Sequence, residues 1–144
     1  MKKIVLMVAL FCASQFVNAQ EIGFRLGNVL GGSAAVDGVF SLGKFSRVHA
    51  DVSFGDGGVG VEALWDFLYK PVDGEDLKWY VGVGPSVLFG TPDAFIGASG
   101  EIGLEYRFEE VPIVLGLDWR PTLWILEDTE FQGGGFGFNV RYAF

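Results

Sequence analysis

The sequence predicts an all-β chain: an eight-stranded, antiparallel, up-and-down transmembrane β-barrel. Three observations predict it. The C-terminal stretch alternates strictly, with Phe136, Phe138, Val140, Tyr142 and Phe144 on one face and Gly135, Gly137, Asn139, Arg141 and Ala143 on the other. Charged residues inside such segments fall almost entirely on the glycine-rich face. Finally, 50% of the residues are hydrophobic. Yet no run beyond the N-terminal leader approaches the ~18 apolar residues of a spanning helix.

An apolar face opposed by a charged, glycine-rich face reverses the layout of a soluble barrel, whose interior is apolar. Lipid outside and a narrow polar lumen inside require that reversed layout. An aromatic edge strand of a soluble β-protein would explain the terminal segment taken alone, because alternation is common in half-buried strands. The rest of the chain has to decide between them.

A chain of 144 residues predicts one domain. The net charge of -8 argues against a nucleic-acid partner, since phosphate binding needs clustered Lys and Arg. It also leaves no polybasic patch for anionic lipid. The 22 glycines and 14 phenylalanines suit strands better than helices, where each glycine costs ~1 kcal/mol against alanine.

Residues 1–19 read as a secretory signal peptide. Lys2 and Lys3 are its charged part, Ile4 to Phe11 its short apolar run, and Val17-Asn18-Ala19 its cleavage site. The barrel domain is then residues 20–144. Cys12 falls in the leader, and the bulky Phe11 before it argues against a lipidation site. The remaining chain has no cysteine, hence no disulfide, thiol nucleophile or cysteine-ligated metal.

Beyond the leader the chain divides into eight alternating segments. The first, about Glu21 to Asn28, sets Ile22, Phe24 and Leu26 against Gly23, Arg25 and Gly27, and Gly31-Gly32-Ser33 breaks it. The second, about Ala34 to Leu42, sets Val36, Phe40 and Leu42 against Asp37, Val39 and Ser41. After the turn Gly43 to Ser46, the third (Arg47 to Phe54) sets Val48, Ala50, Val52 and Phe54 against Arg47, His49, Asp51 and Ser53.

The fourth, about Val59 to Lys70, fits both periods. As a strand it puts Val61, Ala63, Trp65, Phe67 and Tyr69 opposite Glu62, Leu64, Asp66 and Leu68. As a helix it gathers Val61, Leu64, Trp65 and Leu68. The strand reading keeps the strand count even. Pro71 to Asp76 is then the longest polar connection.

The fifth, Leu77 to Phe89, carries Pro85 on its apolar face, where a bulge or local unpairing is expected. The sixth (Phe95 to Phe108), the seventh (Ile113 to Leu126) and the eighth, which closes at Phe144, complete the set. Trp79, Tyr69, Tyr106, Phe108 and Tyr142 should gather near one rim of the apolar face, as aromatics do at a membrane interface.

The lumen face collects Arg25, Asp37, Asp51, Glu62, Asp66, Glu101, Glu105, Arg107, Asp118, Arg120 and Arg141. Eight strands leave an interior that side chains just fill, so acids and bases should pair across it.

The terminal strand resembles that of bacterial outer-membrane barrels, with Phe144 last and Tyr142 two before it. The stretch from Glu105 to Pro112, running on to Asp118-Trp119-Arg120-Pro121, is similar to the penultimate hairpin of the small OmpA/OmpX-like barrels of Gram-negative bacteria. The resemblance covers about Gln20 to Phe144, mostly as pattern. It implies a monomeric barrel in the cell outer membrane, porin-like in its walls, surrounded by outer-membrane lipid. It also implies recognition by the outer-membrane assembly machinery, with Phe136, Phe138, Val140, Tyr142 and Phe144 as the signal. One departure is that the loops around Gly31, Gly57, Pro92 and Asp128 are short, whereas Pro71 to Asp76 is long; the family usually has it the other way round.

Chemistry-bearing motifs are sparse. Gly55-Asp56-Gly57-Gly58-Val59-Gly60 matches a dinucleotide-binding glycine pattern, but no βαβ unit surrounds it, and a hairpin loop explains it. His49, the one histidine, shares a face with Asp51 and Ser53, a combination used by lipid-modifying barrels. Neighbours on one strand face are ~7 Å apart, too far for a nucleophile–base contact. Asp56, Asp93 and Asp128 could touch calcium, but no full ligand set is present. No cofactor, metal or catalytic residue is expected. The functional expectation is a non-enzymatic outer-membrane protein with a structural or small binding role and a lumen plugged by charge. A lipid-modifying membrane enzyme and a soluble periplasmic barrel that binds an apolar ligand remain open.

Overall fold

The computed structural model describes residues 3–4, 7, 21–42, 46–56, 58–74, 76–90, 94–125 and 129–144. The leader cleavage after Ala19, Cys12, the turn at Gly43 to Phe45, Gly57, the turn at Thr91 to Asp93, and Asp128 lie outside the described residues.

Among the described residues ten strands run in order: β1 (Glu21–Val29), β2 (Gly32–Ser41), β3 (Arg47–Gly55), β4 (Gly58–Asp73), β5 (Leu77–Phe89), β6 (Ala94–Arg107), β7 (Ile113–Trp119), β8 (Thr122–Trp124), β9 (Glu130–Gln132) and β10 (Phe136–Ala143). They make eight staves of one closed antiparallel barrel. Each stave pairs with the next, and β1 meets β10 to close the wall. β7 and β8 are one stave, since β6 pairs both in one register, Ile102 to Trp119 and Ser99 to Thr122. The notch between them is Arg120-Pro121, where proline supplies no ladder donor. β9 and β10 form the last stave, slipped by one residue at Gly133 to Gly135.

The alternation read from the sequence becomes the two faces of this wall. Glu21, Arg25, Asp37, Asp51 and Glu101 are buried inside, while Phe24, Leu26, Leu104, Leu117 and Phe138 stand exposed outside. The ambiguous fourth segment is strand throughout. Glu62, Leu64 and Asp66 point in, and Val61, Trp65 and Phe67 point out. The glycine motif at Gly55 is the β3–β4 hairpin, with Gly55 opposite Gly58 and strand on both sides.

Two local expectations are corrected. The β4–β5 register shifts between Asp66 and Leu68. This bulge reverses the parity of the rest of β4, so Tyr69 turns into the lumen and leaves the outer aromatic rim. Second, Pro71 to Asp73 do not form a connection: Pro71 pairs with Lys78 and Asp73 with Leu77, and the turn is made at Gly74, whose φ is 65°. Beyond Asp66, β4 has no β3 partner, so the missing N–H of Pro71 disturbs no ladder on that side. At Pro85, of the two outcomes expected, the structure shows local unpairing and no bulge. Pro85 stays in register with Ala98 of β6, and on the β4 side the pairing lapses between Glu62–Ser86 and Trp65–Val83 without a shift.

Trp79, Tyr106, Phe108 and Tyr142 lie near the end that holds both Glu21 and Phe144, with edge-to-face pairs Tyr106–Phe108 at 5.0 Å and Tyr142–Phe144 at 5.2 Å. A second group, Phe95, Trp124, Trp119 and Phe136, lies towards the opposite, hairpin end. Three indole N–H groups find local acceptors: Trp65 donates to Ser46 at 2.7 Å, Trp119 to the Gly133 carbonyl at 2.7 Å and Trp124 to Gln132 at 3.2 Å.

Candidate functional site

The lumen is the candidate site, and β3 runs through it as a ruler. Its inward residues are Arg47, His49, Asp51 and Ser53, from the terminal end to the hairpin end. Each meets a different set of partners from other strands.

Arg47 sits lowest. Its Nε donates to Asp66 at 2.7 Å, and both terminal nitrogens donate to Glu105 at 3.0 Å. Its guanidinium lies over the rings of Tyr69 (4.1 Å) and Tyr80 (4.6 Å), so the cation is held by faces as well as by acids. Tyr69 donates its hydroxyl to Glu105 at 2.7 Å. Arg141 joins this layer from β10, contacting Glu105, Glu21 at 3.0 Å and Asp37 at 3.5 Å.

His49 occupies the next level. Its Nε2 contacts Asp37 and its Nδ1 lies 3.3 Å from Glu101. Arg120 and Arg141 approach the same ring at 3.1 Å and 3.2 Å.

Asp51 pairs with Arg120, which also reaches Glu101 at 2.9 Å, Glu62 at 3.1 Å and Asp118 at 3.6 Å. Arg25 donates to Asp118 Oδ1 from Nη2 at 2.6 Å and from Nε at 2.9 Å, with Nε also 3.1 Å from Oδ2, and donates to the Gly135 carbonyl at 2.9 Å. Asn139 donates to Asp118 at 2.9 Å. A chain of hydroxyls continues from Glu62: Ser86 donates to it at 3.1 Å, with Ser99 and Thr122 linked beyond at 2.5 Å and 2.7 Å.

Ser53 lies under the lid of the hairpin end. It donates to the Leu30 carbonyl at 2.5 Å, and Val29 and Leu30 are buried where the β1–β2 turn folds over the opening. The cavity left beneath, lined by Arg25, Glu62, Arg120 and Thr122 among others, holds about 20 Å³, room for one water.

Every predicted lumen charge but one lies in this network. Arg107 does not: its side chain is 46% exposed at the rim and reaches Glu21 only at 3.8 Å. It ends β6, and parity alone does not distinguish the lumen from the mouth. His49, on the face of Asp51, is the lumen hydrogen-bonding histidine that its place in the strand predicts. Conversely, Glu21, Arg47, Tyr69 and Asn139 belong to the network although they are not among the lumen charges that the sequence predicts. Glu21 and Arg47 share the parity of Arg25 and Asp51, which is signal enough to find them; the bulge hides Tyr69. The terminal residues Phe136, Phe138, Val140, Tyr142 and Phe144 all stand on the outer face.

The network's cations among the described residues are all arginines, whose planar fork bridges several carboxylates at once. Interior glycines make space for the bulkier groups. A β-carbon on Gly103 would collide with the Tyr80 ring, and one on Gly116 with the Asn139 amide. The His49, Asp51 and Ser53 group is not a hydrolytic triad in this geometry: Asp51 is held by Arg120 and Ser53 by a backbone carbonyl.

No protein-family model, curated protein or solved structure matches the chain.

Proposed function

We propose that the chain is an integral outer-membrane β-barrel protein of the small, OmpA/OmpX-like kind, non-enzymatic, with a structural or small binding role and a lumen plugged by its own charges. The observation that carries this reading is the inversion of the wall: large apolar side chains are exposed on seven of the eight staves and half-buried at Val36 and Phe40 on β2, while most of the charged side chains within the strands are buried. A soluble monomer's largest apolar patch is typically about 300–600 Å², whereas here the apolar face continues around the barrel. Lipid is the solvent in which that face is stable, and a closed barrel leaves no strand edge unpaired in it. An apolar groove of about 620 Å³ on the outer wall, lined by Val72, Trp79, Ile102, Leu104, Leu117 and Phe136, suits an acyl chain.

The alternatives find less support. A lipid-modifying enzyme needs a nucleophile in contact with a base, and the Ser53 hydroxyl is engaged by Leu30. An apolar-ligand carrier needs an apolar interior, and this one is lined by Arg25, Glu62 and Arg120. The test is fractionation of cells producing the full chain. The protein is expected in the outer-membrane fraction after carbonate washing, with an unboiled band that migrates apart from the boiled one. Release into the soluble periplasmic fraction would overturn the proposal.

A further inference from the structure

The lumen is short of positive charge. Among the described residues eight carboxylates are buried in it, Glu21, Asp37, Asp51, Glu62, Asp66, Glu101, Glu105 and Asp118. Four guanidiniums face them, those of Arg25, Arg47, Arg120 and Arg141. An uncompensated charge in such a place costs several kcal/mol, so something else must balance the surplus.

The surplus is concentrated around His49. Asp37, Asp66 and Glu101 converge on its ring from β2, β4 and β6. Asp66 gives Oδ2 to Arg47, but its Oδ1, fully buried, has no hydrogen-bond partner. Glu101 turns Oε1 towards the His49 Nδ1 at 3.3 Å. A neutral imidazole carries one N–H. If Nε2 donates it to Asp37, with which it is in contact, then Nδ1 presents a lone pair to Glu101. Arg120 stands 3.3 Å from Nδ1 and 2.9 Å from Glu101 Oε2, but Glu101 Oε1 and Asp66 Oδ1 have no hydrogen-bond partner, and carboxylate faces carboxylate between those two residues. A cation between the two carboxylates and Nδ1 satisfies all three. Tyr80, whose ring centroid lies 6.0 Å from that of His49, also has a buried hydroxyl with no hydrogen-bond partner.

We propose that His49, Asp66 and Glu101 form a structural site for a divalent first-row transition-metal ion, Zn²⁺ being the type. Ligand atoms of the three lie within 4.8 Å of one another. Bonds of about 2.0–2.2 Å in a tetrahedral site need ligand atoms about 3.4 Å apart, so small side-chain rotations close the set. One imidazole nitrogen with carboxylate oxygens suits such an ion better than an all-oxygen cation. Asp37, on the other ring nitrogen, is the carboxylate that fixes the tautomer of a metal-bound histidine. Arg120 and Arg141 beside the ring oppose a dication. A dication nevertheless offsets only part of the excess of acids over arginines. The ion enters as the barrel folds, because Val29 and Leu30 close the hairpin end. None of this depends on whether the outer wall meets lipid or water.

The experiment refolds the purified chain with Zn²⁺, Co²⁺ or Mn²⁺, or with EDTA, and passes it over a chelating resin. Metal content is then measured, together with the temperature at which the folded gel band is lost. About one retained equivalent per chain and a higher transition temperature than in EDTA are expected for at least one of the ions. Glu101→Gln keeps the side-chain shape and should lose the ion; His49→Gln should too. Asp37→Asn should weaken binding about 10–100-fold. Glu62→Gln, in the same lumen but outside the set, should keep it. Should His49→Gln fail to fold, Glu101→Gln and the wild-type comparison still decide. Folded wild-type barrel that retains none of these ions would overturn the proposal and leave shared protons, for instance between Asp66 and Glu101, to carry the surplus. Equal retention by Glu101→Gln and wild type would overturn it as well.

Discussion

The Arg25 guanidinium lies over Gly137: a β-carbon on that glycine would fall 2.5 Å from the guanidinium carbon. The glycine is there for space, and the arm that fills the space binds Asp118. Gly137→Ala should therefore push Arg25 off its acid and destabilise the barrel by about 1–3 kcal/mol, as overpacking does. Gly100→Ala is the comparison, since the nearest atom to its new methyl would be an ordinary 3.7 Å away. Urea unfolding of the two variants should separate them, and equal midpoints would count against the close approach.

Leu117 is 62% exposed in the middle of β7, between Leu104 and Phe138 on the outer wall. Leu117→Lys should cost about 2–4 kcal/mol if the wall meets the hydrocarbon core. On a surface facing water the same change should be nearly neutral. Folding equilibria in lipid vesicles decide between these; an unchanged equilibrium would remove the support for a membrane setting.

Phe144 is 75% exposed and Ala143 4% exposed, one residue apart on opposite faces. If the outward aromatic row is read by the assembly machinery, deleting Phe144 should strip the protein from the outer membrane. Ala143→Ser should change its level far less. Immunoblots of membrane fractions measure both.

Arg120 contacts Asp51, Glu62 and Glu101 together. Arg120→Leu leaves all three buried without that cation, and about 3–5 kcal/mol should be lost. Asp56→Asn, at the exposed β3–β4 turn, should stay within about 0.5 kcal/mol. Because the same network fills the lumen, planar-bilayer recordings of the wild type should show only small, rare steps. A steady conductance of porin size would contradict the plug.

Period-two alternation makes the wall legible, because a strand's parity is a local property of the chain. Phe24 out and Arg25 in can be read from neighbours alone. The partners in the lumen cannot. Arg25 meets Asp118 and Arg47 meets Glu105 only after register and stagger are set around the closed barrel, and those arise from pairing between distant segments. The bulge after Asp66 is invisible for a similar reason: Phe67, Leu68 and Tyr69 carry no glycine or proline to mark it, and it takes Tyr69 from the expected rim to Glu105. Pro71 misleads in the opposite way, reading as a turn where β4 merely has a free side. Pro121 and Gly133 to Gly135, by contrast, carry the chemistry of the breaks that divide the last two staves.

β1 has β10 as a neighbour, so Glu21 lies opposite Ala143 and the two ends of the barrel sequence are stitched together. The wall has no complete lumen until that seam forms. Before then β1 and β10 are bare edges, the kind of surface that recruits foreign strands, and Arg141 lacks Glu21 and Asp37, which await it across the gap. Closure joins the two staves farthest apart in the sequence, the pairing with the largest loop-entropy cost in the wall. A chain stopped short of its last stave would be an open, sticky sheet rather than a slightly smaller barrel.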